Sequence, residues 1–153
     1  MSGPHTARLS YGDFAAAAPA ARAALFAMGK AVDDSGLEKT LTELIKLRAS
    51  QMNGCAFCIQ FHLNTARKLG VAGEKLDLVA AWREAGVFSD REKAALAWTE
   101  ALTTMPADAA SDADFARLLT QFDETEAMFL TLAVAGINQW NRIAVALRFA
   151  PPV

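Results

Sequence analysis

The sequence predicts an all-α domain of about seven helices, and three observations carry that expectation. Apolar residues recur at i, i+3, i+4 and i+7 from about residue 20 to 149, the period of helices with one buried face. No stretch alternates apolar and polar residues as a half-buried strand would. Between the periodic runs lie residues that start or stop helices, at intervals suited to globular helices.

The elements follow in order. Residues 1–18, with Gly3, Pro4 and Gly12 among small side chains, read as an N-terminal arm that is ordered only by docking on something else. Residues 19–153 read as a single helical domain, a length that supports one core. A first helix is expected over 20–32, helped by the alanine-rich stretch 15–24. Ser35-Gly36 separates it from a second helix that begins near Leu37 and stops at Asn53-Gly54, residue types that tolerate left-handed backbone. A third opens at Cys55, runs through Ile59, His62, Ala66 and Leu69, and stops at Gly70. A fourth runs from about Glu74 to before Gly86. Ser89 with Glu92 forms a capping box for the helix carrying 94–103, which Pro106 closes. Ser111 caps a short helix through Phe122, and Asp123 with Glu126 starts a long last helix that Pro151-Pro152 terminates.

Composition narrows the function classes. Fifteen basic residues stand against 17 acidic ones and are scattered along the chain, so no footprint for nucleic acid is present. The longest apolar run, 127–137, is too short to span a membrane, and the first 18 residues lack the basic and apolar regions of an export signal. The expected setting is the cytoplasm. At 53% hydrophobic residues and a mean hydropathy of +0.17, the chain is richer in apolar side chains than a monomer needs, which suggests a homo-oligomer.

In a reducing cytosol, two cysteines three residues apart point to chemistry rather than to a structural bridge. On a helix, Cys55 and Cys58 would have Cα atoms about 5 Å apart, within the roughly 4.4–6.8 Å that a disulfide accepts. His62 follows Cys58 by four residues and Cys55 by seven, so all three share one helical face. A free thiol is only a few per cent thiolate at neutral pH, and raising that to about half takes about 2 kcal/mol of differential stabilisation. A helix start favours an anion at Cys55, whereas His62 is better placed to take a proton from Cys58, so spacing leaves the reactive sulfur open. Zinc would need a fourth ligand beyond Cys55, Cys58 and His62, from Glu43 or another chain. By pattern alone Glu43 is a solvated helix residue. Trp82, Trp98 and Trp140 read as core or interface residues, with Trp140 also placed to line a pocket near the thiols. Arg48 and Arg142 are candidates for an anionic substrate or for surface pairing with carboxylates.

The segment from Glu43 to Gly70, with Ser50-Gln51, Asn53-Gly54-Cys55, Cys58 and His62 in register, closely resembles the core of the alkylhydroperoxidase AhpD-like branch of the carboxymuconolactone decarboxylase superfamily. Further resemblance in 81–85, 92–98 and 137–142 extends it over roughly residues 37–150. The resemblance implies an all-helical, ring-forming protein, a trimer or hexamer, with dithiol peroxidase chemistry and no cofactor. It assigns Cys58 as the peroxidatic thiol, Cys55 as the resolving one, and Glu43 with His62 as a proton relay. A peroxide is the implied substrate, and an external dithiol the implied electron donor. In one respect the chain departs from some members: where they carry a histidine just before the second cysteine, this chain has Phe57. The decarboxylase members generally lack the cysteine pair, so the resemblance favours peroxide chemistry over lactone decarboxylation. A disulfide-exchange partner or redox sensor is the alternative for the same dithiol.

Overall fold

The helical periodicity becomes eight α-helices and no strand among residues 6–153, the residues that the computed structural model describes. They are α1 (Tyr11–Ala17), α2 (Pro19–Asp33), α3 (Lys39–Asn53), α4 (Ala56–Lys68), α5 (Gly73–Leu78), α6 (Asp90–Thr104), α7 (Asp112–Leu118) and α8 (Glu124–Leu147), with a 3-10 turn at Val79–Ala81. Four helices begin with a complete capping box: Ser10 with Asp13, Ser89 with Glu92, Ser111 with Asp114, and Asp123 with Glu126. In each, the cap oxygen accepts from a backbone N–H of the first turn while the acidic side chain reaches back to the cap's own N–H.

Three elements differ from the sequence expectation. The stretch read as an arm contains α1, and Arg8 and Leu9 donate their backbone N–H groups to the Leu147 carbonyl at the end of α8. Tyr11 and Phe14 supply the apolar anchors of this docking, packing against Phe149. Residues 1–5 of that arm, His5 among them, lie outside the described residues. The helix expected from Glu74 to before Gly86 stops at Leu78 and tightens into the 3-10 turn, after which Val79 and Trp82 are buried. The last helix ends at Leu147, ahead of the prolines, because Arg148 turns the chain with φ +55°.

At the centre of the packing is α3, which touches α4, α6 and α8. Its Leu41, Leu44, Ile45 and Leu47 are almost wholly buried, each worth roughly 1.5–3 kcal/mol of transfer free energy. Of the tryptophans, Trp82 and Trp98 are core residues whose indole N–H groups donate to Glu100 Oε1 at 2.8 Å and Thr131 Oγ1 at 3.0 Å. Arg48, a candidate for an anionic substrate, instead donates to that same Glu100 oxygen at 2.8 Å. Arg142 donates to the Asn138 carbonyl and side chain on its own helix.

An amide network centred on the buried Asn141 ties the end of α3 to α8. Asn53 Nδ2 donates to Asn138 Oδ1 at 3.0 Å and to Asn141 Oδ1 at 2.9 Å, and Asn141 Nδ2 donates to Ser50 Oγ at 3.0 Å. Asn141 is 1% exposed, so removing its amide takes one hydrogen bond each from Ser50 and Asn53, which keep their bonds to the Lys46 carbonyl and Asn138. Loss of these two bonds in Asn141→Leu is therefore expected to lower stability by about 1–3 kcal/mol. The measurement is urea unfolding, read as a lower midpoint with an unchanged slope.

Candidate active site

Local backbone chemistry sets the cysteine turn. Gly54 ends α3 with φ +67°, a left-handed conformation that a side chain would strain. Cys55 then leaves helical geometry, donates its N–H to the Ser50 carbonyl at 3.0 Å, and becomes the N-cap of α4. Its sulfur accepts from the Cys58 backbone N–H at 3.2 Å. The expected helix start is thus displaced by one residue, with Cys55 preceding α4 rather than opening it. The two cysteines are joined as a disulfide, with Cα atoms 5.3 Å apart.

The turn also folds α4 back against α3, which brings Glu43 to His62 across 19 residues. His62 Nδ1 lies 2.6 Å from Glu43 Oε2, and Glu43 is only 3% exposed. The pattern-based expectation of a solvated Glu43 is corrected here: it is buried and paired. Burial by itself pushes the Glu43 carboxyl up, but the His62 hydrogen bond and charge, with Lys46 adding to both effects, hold it below the usual carboxylate range. An ionised carboxylate only accepts, so Nδ1 carries the proton in this contact, and in the neutral ring Nε2 is the basic nitrogen. The other carboxylate oxygen, Oε1, lies 3.4 Å from Lys46 Nζ.

Two cavities meet at His62. One, of about 330 Å³, is lined by Tyr11, Phe26, Phe57, Phe61, Trp140 and Pro152, together with Cys58 and His62. Cys55 does not line it and is 1% exposed. The second, of about 350 Å³, is polar at its mouth, where Lys30, Asp33 and Lys39 stand, and has Glu43, Lys46 and His62 on its wall. His62 is the one titratable side chain common to both. Trp140 lines both as well, matching the pocket alternative for that residue rather than a wholly buried one.

Phe57 occupies the position at which a histidine would have extended the relay, and its ring does different work. It stacks on Tyr11 at 5.7 Å and on Phe61 at 6.2 Å, and meets Phe149 edge-on at 5.5 Å. It builds the apolar wall beside Cys58. Sequence reasoning brought together Cys55, Cys58, His62 and Glu43, and all four converge. It missed Lys46, three residues along the helix from Glu43, although an i, i+3 basic residue beside a buried glutamate is the signal that could have found it. It also missed Tyr11, Phe26 and Phe61, which come from three separate helices.

Comparison with known proteins agrees with this architecture. The family model described as "Carboxymuconolactone decarboxylase family" matches residues 19–101. An uncharacterized protein of Bacillus subtilis (strain 168), YdfG, is 39% identical over 140 residues, covering 92% of this chain and 93% of its own. A solved structure from Agrobacterium tumefaciens, of unknown function and assigned provisionally to antioxidant defence as AhpD, superposes with a TM-score of 0.89 at 40% identity, over 97% of this chain and 99% of that one. An uncharacterized peroxidase-related protein from Ralstonia eutropha JMP134, described as an alkylhydroperoxidase AhpD core, gives a TM-score of 0.81 at 25% identity, over 92% and 75% of the two chains. With the family model spanning more than half the chain and a near full-length relative at this identity, the chain belongs to the carboxymuconolactone decarboxylase family, in its AhpD-like branch.

Proposed function

We propose that the protein is a dithiol peroxidase. The observation that carries the reading is the convergence of Cys58 and the Glu43-supported His62 on one apolar pocket, with Cys55 bonded behind. In the reduced protein, His62 Nε2 takes the proton of the Cys58 thiol. The thiolate attacks the terminal oxygen of a peroxide, the O–O bond breaks, and the departing alkoxide takes the proton back as an alcohol. Cys58 is left as a sulfenic acid. The Cys55 thiol condenses with it, releasing water and forming the disulfide, which an external dithiol reduces by exchange.

Near-complete burial of both sulfurs supports a small-molecule oxidant over a protein partner as the first reactant, which sets this reading above a disulfide-exchange role. The aromatic wall supports an organic peroxide over a purely polar one. Phe26 and Phe61, 48% and 47% exposed at the pocket rim, support assembly with further copies of this chain. No helix among the described residues is long and apolar enough to cross a membrane.

The test is consumption of cumene hydroperoxide by the reduced protein, with sulfenic acid trapped in a Cys55→Ser variant. Loss of peroxide matched by trapped Cys58 supports the reading. Reduced protein that leaves peroxide intact and yields no trapped species overturns it.

A further inference from the structure

His62 meets the apolar pocket on one side, and on the other its partner Glu43 meets a cavity of different character. That second cavity is lined mostly by apolar residues of α2 and α8, and besides Glu43 its charged side chains are Lys30 and Asp33 from α2 and Lys39 and Lys46 from α3. From α8 it receives no charged side chain, and from α4 only His62 among titratable groups. Lys39 is engaged by Asp33 at 3.1 Å and Lys30 by Asp34, so Lys46 is the cation that reaches the relay. Its side chain keeps only 16% of its exposure, and Glu43 only 4%.

Resting on the peroxidase reading above, we propose that Lys46 is a positioning residue for the relay, holding Glu43 Oε1 so that Oε2 stays on His62. One bound carboxylate oxygen leaves the second free to pivot. Two bound oxygens hold the carboxylate plane and the imidazole orientation together.

The experiment compares pre-reduced full-length wild type, Lys46→Met and Lys46→Arg, each oxidised in a single turnover by excess cumene hydroperoxide across pH with no reductant present. Lys46→Met removes a contact that favours ionised Glu43, so Glu43 takes its proton at higher pH and the acid limb of the oxidation rate moves up. A displacement of about one pH unit, about tenfold slower oxidation below the limb, is expected, with the peroxide concentration for half-maximal rate unchanged and the limb restored by Lys46→Arg. Coincident profiles for Lys46→Met and wild type overturn the role of Lys46, as does an equal loss at every pH that arginine does not restore. A second readout keeps the two proposals apart: the ultraviolet thiolate absorbance of the reduced proteins, titrated without peroxide. Should wild type fail to consume peroxide, the peroxidase reading falls, while a displaced thiolate titration in Lys46→Met still supports the positioning role and an unchanged one overturns it.

Discussion

Cys58→Ser is expected to reduce peroxide turnover at least about a thousandfold, to background, because a hydroxyl cannot supply the thiolate that attacks the peroxide. The companion variant separates the two sulfurs. Cys55→Ser is expected to keep the first oxidation at close to the wild-type rate and then stall as a sulfenic acid, since no second thiol closes the disulfide. Mass measurement after one equivalent of peroxide reads this directly: one added oxygen in Cys55→Ser and none in Cys58→Ser. The asymmetry rests on burial. Cys58 lines the pocket with His62, and Cys55, almost wholly enclosed, does not. An added oxygen in Cys58→Ser and none in Cys55→Ser would reverse the assignment.

Glu43→Gln is expected to slow that first oxidation about a hundredfold, within the range that a positioned proton-transfer system contributes. The amide keeps the shape of the side chain but loses the charge that supports a protonated His62, and it turns an N–H₂ group towards either His62 Nδ1 or the Lys46 ammonium. Stability gives an independent reading with a definite sign. Glu43 has a folded-state pKa below its ordinary value of 4.5, so its contribution is present above about pH 4.5 and is lost as pH falls through the lower folded value. Wild type should therefore lose stability more steeply than Glu43→Gln as pH falls from 4.5. Urea midpoints for the two proteins, measured from neutral to acid pH, check this.

Much of the fold is legible because helix boundaries are written in local chemistry. Ser89 with Glu92 and Asp123 with Glu126 announce helix starts through contacts three residues apart, and Gly54 announces a stop because its φ is one that other residues adopt at a cost. The same code was present at Ser10 and Asp13, yet seven residues of helix beside glycine and proline carry too little periodicity to stand out. The amide network was opaque for a different reason. Asn53 and Asn141 are 88 residues apart, and an asparagine that caps a turn has the same sequence appearance as one buried in a network.

The sequence by itself determined that this protein is helical, where most of its helices begin and end, and that two thiols and an imidazole share one face, because each of these depends on residues within a few positions of one another. The family resemblance added Glu43. Only the tertiary structure decided that Glu43 is buried with Lys46 on its other oxygen, that Cys58 rather than Cys55 faces a pocket, and that Phe57 builds an aromatic wall with Tyr11, Phe26 and Phe61. Those facts depend on how α1, α2, α3, α4 and α8 pack against one another, and the desolvation and enclosure that packing creates have no counterpart in local spacing.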